Sequence, residues 1–279
     1  MSLHKQRFRL VRVLMTLAII VIVMLWLVVP LALTLLWSLV DTGHPWAYPD
    51  VLPPVLSWSR WTEVWTTTGL PQALINSYLL APSVALVTVV LAMPAAYAFG
   101  RLDFPGKEIM QMVVLIPLVV PGFVVAIFFA SVLLRLGIHS RFLAILLGHT
   151  VVFLPYAVRI LTISFVLVRQ DIIDAAQNLG ATPIIRFRTA YLPVIRPGLF
   201  AALIVVFILS IEEFALAYVI GAPDFTTVPT ILYSYLGYNF IRPNAAVISL
   251  TLIVPNVLLM MLAERFLLST QSIAVVGKG

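Results

Sequence analysis

Residues 171–197 read DIIDAAQNLGATPIIRFRTAYLPVIRP, a polar stretch between two long apolar runs. Its beginning predicts a short helix over residues 171–179, with aspartates in the first turn, where the helix dipole favours negative charge. Gly180 then stands where helices commonly end in the left-handed conformation. The pair Thr182–Pro183 is typical of an N-cap and a first helical position, so a second helix should start there. It should end before Pro193, because the residue that precedes a proline resists the α conformation.

The first of these helices carries an apolar stripe. Ile172, Ala176 and Leu179 recur at helical spacing, with Ile173 beside them. A helix this short is unstable alone in water, so the stripe needs a surface to cover it. That surface is either the inner leaflet of a membrane or a separate cytoplasmic subunit, and the residues alone favour neither.

The composition of the whole chain indicates an integral membrane protein. Of its 279 residues 62% are hydrophobic and 10% are charged, and the mean hydropathy is +1.10. In soluble domains about a quarter of the residues are charged, so this chain has too little polar surface to coat a globule in water. Cysteine is absent, which excludes disulfides, cysteine-ligated metals and thiol catalysis. The net charge of +6 is scattered in ones and twos, which argues against a nucleic-acid partner.

Six segments are long and apolar enough to cross the hydrocarbon layer, which takes about 20 residues. They are Val13–Leu39, Ala73–Phe99, Ile109–Leu134, Phe142–Val168, Leu199–Ile220 and Ala245–Leu268. The fold expected is therefore an all-α membrane protein with six transmembrane helices. We expect one domain over residues 13–268, a cytoplasmic N-terminal segment 1–12, a cytoplasmic loop 169–198 and a cytoplasmic tail 269–279.

Basic residues predict the orientation, since they concentrate on the cytoplasmic side of membrane proteins. With the N-terminus inside, twelve basic residues are cytoplasmic: Lys5, Arg7, Arg9, Arg12, Arg101, Lys107, Arg169, Arg186, Arg188, Arg196, Arg265 and Lys278. Four are external: Arg60, Arg135, Arg141 and Arg242. Both termini are thus expected in the cytoplasm. The external segment 41–72 holds four of the six tryptophans, which form either an interfacial belt or a docking surface for an external partner.

The loop 169–198 resembles the EAA motif of ABC importer permeases. The matching residues are Asp174-Ala175-Ala176, Gly180, Phe187, Leu192-Pro193 and Pro197. The chain departs from that motif at Asp174, where the family has Glu, and at Ala190, where Ile or Val is usual. Further residues that look like this family are Asn76-Ser77, Pro94 to Ala98, Arg101, Gly106, Pro117 and Pro121-Gly122. The segments 210–214 and 228–234 are most similar to the second permease of spermidine/putrescine-type importers.

The resemblance implies a type I ABC importer permease in the bacterial inner membrane. Its partners would be a second permease (a paralogue), two ATPase subunits and an external solute-binding protein. The segment around Asp174 would be the coupling helix that contacts the ATPase. The residues assigned to this contact are Asp171, Asp174, Ala175, Ala176, Leu179, Gly180 and Phe187. The chain has no G-x4-G-K-[ST] phosphate loop, so ATP and Mg²⁺ would bind to the partner ATPase, and the permease would hold no cofactor and would not be an enzyme.

Three charged residues fall inside predicted spans: Arg159, Glu212 and Glu213. A carboxylate at that depth is costly, at roughly 2.5–3.5 kcal/mol on insertion scales, so both glutamates need compensation. All three are candidate residues of the translocation path. The glutamates either face that path, which would favour a cationic or amine-bearing solute such as a polyamine, or pair with Arg159. A secondary transporter with a proton site at these carboxylates is the alternative function. A channel would not need the coupling loop. The four histidines do not have the spacing of a metal site, which argues against a metalloenzyme. His149 is expected to be a hydrogen-bonded core residue.

Overall fold

The computed structural model describes residues 2–238 and 240–276, with side chains for residues 11–237, 240–261, 264 and 265. The α-helices are α1 (Ser2–Ser38), α2 (Ser59–Thr67), α3 (Leu70–Arg101), α4 (Lys107–Val114), α5 (Ile116–Val119), α6 (Gly122–Arg135), α7 (Arg141–Val166), α8 (Gln170–Asn178), α9 (Pro183–Arg186), α10 (Leu192–Glu212), α11 (Val228–Tyr233) and α12 (Arg242–Val276). Three π-helical turns span Phe187–Tyr191, Ala217–Gly221 and Ser234–Tyr238. Lys278, one of the predicted cytoplasmic basic residues, lies outside the described residues.

The chain divides into two compact units. One comprises the residues up to Thr68 together with Tyr233–Thr251, and the other comprises Gly69–Leu232 and the residues from Leu252 onward. In the first unit the Arg242 guanidinium lies 5.7 Å from the centre of the Trp37 ring, and Arg60 Nη1 donates to Asn244 Oδ1 at 3.3 Å. In the second unit α3, α7 and α10 pack against one another.

Within the described residues, five helical stretches are long and apolar enough to cross a membrane: Val11–Ser38, Leu70–Arg101, Arg141–Val166, Pro183–Glu212 and Arg242–Met261. An all-α membrane fold is confirmed. Four of these stretches coincide closely with predicted spans. The side of the membrane that each end faces stays a prediction.

The predicted third span, Ile109–Leu134, is wrong as a single helix. The chain there forms α4, α5 and α6, and α6 is only 14 residues long. The interruption follows from Pro121, which has no N–H to donate and forces the preceding residue out of the α region. Val120 accordingly has an extended conformation, with φ −83° and ψ 130°.

The predicted fifth span, Leu199–Ile220, is displaced toward the N-terminus. The helical stretch begins at Pro183 and ends at Glu212, so the second helix of the loop does not end before Pro193. A π turn at Phe187–Tyr191 explains the difference, because the N–H of Leu192 donates to the Phe187 carbonyl five residues earlier. The wider turn brings the chain to Pro193, which can donate no hydrogen bond, without a break.

Small residues allow the three central helices of the second unit to approach closely. Ala92 and Ala96 of α3, Ala157 of α7 and Ala202 of α10 are almost completely buried. Close backbone approach through small side chains is the usual basis of helix association in membranes, where burial from water contributes little. This core positions the N-terminal part of α7, which contains His149, and the C-terminal end of α10, which contains Glu212.

Candidate functional site

The predicted coupling helix is present as α8, within one residue of the predicted bounds. Gly180 ends it with φ +77°, which confirms the predicted left-handed conformation. The N–H of Gly180 donates to the Gln177 carbonyl at 2.9 Å, and that of Ala181 donates to the Ala176 carbonyl at 3.0 Å. This pair of bonds is a Schellman motif, which satisfies the last carbonyls of a helix.

One face of α8 is anchored and the opposite face is open. Ile173 is 5% exposed and belongs to the core, whereas Leu179 is 88% exposed and Ile172 is 42% exposed. Asp171, Asp174 and the other predicted contact residues on α8 are exposed or half-buried. The apolar stripe therefore still needs a covering surface, as its composition predicts.

Arg101, the last residue of α3, ties that helix to the start of α8. Its Nη1 donates to the Val168 carbonyl at 2.8 Å, and its Nη2 donates to Gln170 Oε1. Gln170 Nε2 in turn donates to Asp174 Oδ1 at 2.8 Å. A displacement of α8 would therefore act directly on the end of α3 as well as on α7.

Two further contacts fix the loop. The Arg169 guanidinium donates a hydrogen bond to the Asp171 carboxylate. This bond is the main reason that the pKa of the Asp171 carboxyl is lowered. At the other end of α8, Arg186 Nη1 donates to Gln177 Oε1 at 3.1 Å and so joins α8 to the next helix. Phe187 is half-buried against the core rather than displayed on the surface. It lines a 420 Å³ cavity together with Tyr97 and Tyr191.

The two glutamates do not sit on one continuous helix. Glu212 is the last residue of α10, and Glu213 has an extended backbone with φ −69° and ψ 131°. The Glu213 side chain caps the turn that follows: its Oε1 accepts from the N–H of Leu216 at 2.8 Å, and its Oε2 accepts from that of Ala217 at 3.1 Å. Glu213 is therefore engaged in holding a break in the fifth span.

His149 of α7 completes this arrangement. Its Nε2 lies 3.0 Å from Glu213 Oε2, and its Nδ1 lies 2.9 Å from Ser210 Oγ. The ring is completely buried, and Phe153 packs edge-on against it at 5.4 Å between ring centres. The prediction that His149 is a hydrogen-bonded core residue is confirmed. Its partner could not be found from the sequence, because the two residues are far apart along the chain.

Arg159 is not the partner of Glu213. It is exposed on α7 and, in the part of the chain that has described side chains, it forms no ion pair. It lines a cleft of 580 Å³ together with Glu108 and Gln111 of α4. Glu212 is likewise exposed, and no hydrogen bond or ion pair of its side chain occurs among the described residues. The pairing alternative for the two glutamates is therefore wrong.

Sequence reasoning assigned no role to Asn76 and Ser77, near the start of α3. Asn76 Nδ2 donates to the Thr226 carbonyl at 2.8 Å, and Ser77 Oγ accepts from the N–H of Val228 at 3.0 Å. Both side chains are buried. They fix the connection that follows the broken span. The signals for them in the sequence were two adjacent polar residues at the entrance to an apolar run and their resemblance to the permease family.

Comparison with known proteins agrees with this architecture. The family described as binding-protein-dependent transport system inner membrane component matches residues 88–267. The trehalose transport system permease protein SugB of Mycobacterium tuberculosis is 26% identical over 219 residues, which cover 77% of this chain and 80% of SugB. The spermidine/putrescine transport system permease protein PotC of Escherichia coli is 25% identical over 219 residues, which cover 76% of this chain and 81% of PotC.

Two solved structures share the fold. A chain of a bacterial ABC transporter involved in the import of the acidic polysaccharide alginate superposes with a TM-score of 0.73 at 14% identity, covering 95% of this chain and 98% of that one. A chain of the MetNI methionine ABC transporter superposes with a TM-score of 0.57 at 19% identity, covering 72% of this chain and 94% of that one.

Proposed function

The chain belongs to the family of binding-protein-dependent transport system inner membrane components, and on that premise we propose that it forms the path of an ATP-driven importer for a small amine-bearing or cationic solute. It is a multi-pass inner-membrane permease and not an enzyme. ATP hydrolysis then belongs to partner subunits. We propose two ATPase subunits, a second permease and an external solute-binding protein as those partners.

The exposed face of α8 supports the contact with an ATPase. Leu179 and Ile172 present apolar side chains beside the exposed carboxylates of Asp171 and Asp174. A mixed surface of this kind suits a protein groove better than a hydrocarbon interior, because ionised carboxylates are costly to remove from water. The bond network around Arg101 gives a route by which movement of α8 reaches the spans.

The carboxylate of Glu212 is the observation that carries the solute class. Glu213 is engaged by His149 and by two backbone N–H groups, whereas Glu212 is exposed at the end of α10. An acidic group in a water-filled path favours a cation or an amine. The similarity to PotC, a permease of spermidine and putrescine transport, agrees with this class. A sugar is the second candidate, because SugB is equally similar and its name states trehalose transport.

Uptake by the assembled transporter in membrane vesicles tests the proposal. Glu212→Gln should raise the half-saturating concentration of putrescine or spermidine, because the neutral amide cannot compensate an ammonium group. Asp103→Asn is the matched control, since that carboxylate projects into solvent from the loop after α3. Trehalose uptake that is unaffected by Glu212→Gln, without any putrescine or spermidine uptake, would instead favour the sugar.

The same vesicles separate an ATP-driven importer from a secondary transporter. Uptake that requires ATP and an active ATPase supports the importer. Uptake that follows an imposed proton gradient in the absence of ATP would overturn it.

A further inference from the structure

The break in the fifth span is held from both sides by one residue. His149 contacts Ser210, which lies within the last turn of α10, and Glu213, which lies at the break itself. Glu213 then caps the segment that continues to Gly221. Glu212, the residue whose carboxylate is exposed, lies between these two contacts. The direction in which Glu212 leaves the helix thus depends on where His149 holds its neighbours.

The hydrogen-bond donors and acceptors of His149, Ser210, Glu213 and the backbone N–H groups match one another. Both Glu213 oxygens accept backbone N–H bonds, so the His149 Nε2 donates to the carboxylate. In the neutral ring Nδ1 accepts, and the Ser210 hydroxyl supplies the proton of that bond. Both nitrogens of the buried ring therefore have a hydrogen-bond partner. A single hydroxyl or amide at this position could not contact both Ser210 and Glu213.

The surroundings leave the ring and the capped segment little room. A Cβ added at Gly148 would lie 2.6 Å from Leu216 Cδ2, and one added at Gly221 would lie 2.9 Å from Ile145 Cδ1. Leu216 and Ala217, whose N–H groups Glu213 caps, are themselves buried. The capped segment packs directly on α7, so α7 sets its position through both this packing and the His149 contact.

We propose that His149 is a positioning residue of the transport path, which fixes the break between Ser210 and Glu213 and so directs Glu212 into the path. The inference rests on the proposed function, in which Glu212 lines that path. His149 acts through Glu213 and needs no contact with the solute.

The chain contains no cysteine, so Glu212→Cys creates a single thiol whose reaction rate with a water-soluble maleimide reports its surroundings. The rate is measured in the assembled transporter with His149, with His149→Asn and with His149→Gln. The asparagine amide reaches Ser210 but not Glu213, whereas the glutamine amide extends to the position of Nε2. A cysteine at Val194 of α10, away from the network, is the matched control site.

His149→Asn should change the labelling rate at position 212 by about tenfold, a factor that corresponds to roughly 1.4 kcal/mol and lies at the lower edge of what one hydrogen bond to a charged group contributes. His149→Gln should restore the original rate, and the rate at position 194 should be unaffected. In a Glu213→Gln background, His149→Asn should add no further change, since the contact through which it acts is already weakened. Loss of packing alone would give effects that add.

Equal labelling of position 212 with His149 and with His149→Asn would overturn the positioning role. No labelling of position 212 in any background would instead overturn the proposed function, because the residue would not face water. Should His149→Asn fail to accumulate in the membrane, Glu213→Gln alone gives the same comparison from the other partner of the contact. An unchanged rate in that variant would also refute the inference.

Discussion

Replacing Gly180 by valine tests the coupling role of α8 with a perturbation whose size can be worked out. Gly180 has φ +77°, and a Cβ added there would meet nothing within 4 Å. The substitution therefore adds backbone strain without a steric clash. A left-handed conformation costs an L-residue roughly 1–2 kcal/mol. That cost lowers the ratio of the present loop conformation to its alternatives by about 5- to 30-fold.

If α8 must dock in this conformation, solute-stimulated ATP hydrolysis by the assembled transporter should fall by up to that factor. Retention of the ATPase subunit on the tagged permease should fall with it, while the amount of permease in the membrane should not. Gly180→Asn should be close to the original protein, because asparagine tolerates the left-handed region.

The chain offers a matched control for this experiment. Gly137, which follows α6, has φ +74° and the same open surroundings, so Gly137→Val introduces equal strain far along the chain from α8. It should leave ATPase retention unchanged. Normal ATP-driven uptake by Gly180→Val would refute the coupling role, and so would an equal loss of ATPase retention in Gly137→Val.

Contacts elsewhere lead to three more tests. The side chain of Val51 is 87% exposed. A cysteine there should react with a membrane-impermeant thiol reagent added outside, because the basic residues place segment 41–72 on that side. Labelling only from the cytoplasm would show that the predicted topology is inverted. Arg101→Ala should reduce solute-stimulated ATP hydrolysis several-fold, since it releases α8 from α3. Arg101→Lys should be intermediate, because the guanidinium reaches the two acceptors through separate nitrogens and lysine offers a single one. Full activity of Arg101→Ala would exclude this route. Hydrogen bonds from the Ser57 hydroxyl and, to a smaller extent, from His44 hold the pKa of the Asp41 carboxyl well below its usual range. The stabilisation that Asp41 provides is therefore complete above the ordinary carboxyl pKa of about 4 and is lost only as the pH falls through the lowered value. The tryptophan fluorescence of the protein, to which Trp46 contributes, should accordingly stay constant from neutral pH to about pH 4. Ser57→Ala should move its acid transition to higher pH, and a transition at the same pH in both proteins would contradict this assignment.

The parts of the fold that the sequence predicted correctly depend on local signals. The end of α8 was predictable because glycine is the residue that best adopts the left-handed conformation there. The first, second, fourth and sixth spans were predictable from uninterrupted apolar runs. Such signals need only neighbouring residues, and tertiary contacts did not overrule them here.

The errors arose where backbone geometry or distant contacts decide. Hydropathy treats Pro121 as one position in an apolar run, although its missing N–H divides the third span. The π turn before Pro193 is one residue of extra winding, which hydrophobic periodicity does not resolve.

The candidate path shows the same limit more sharply. Glu212 and Glu213 are chemically identical and adjacent, yet one is exposed and the other caps a helical turn and contacts His149. That difference depends on the fold around Ser210 and α7, which no local pattern contains. The coupling helix, by comparison, could be located from its own residues.

The π turn at Phe187–Tyr191 also bears on how such chains diverge in length. A π turn holds one residue more than the corresponding α turn, and it absorbs that residue without rotating the helix on either side. A chain shorter by one residue between Arg186 and Leu192 can close the same stretch as regular α-helix and keep both flanking faces in phase. We therefore expect this helix to tolerate the deletion of a single residue between Arg186 and Leu192.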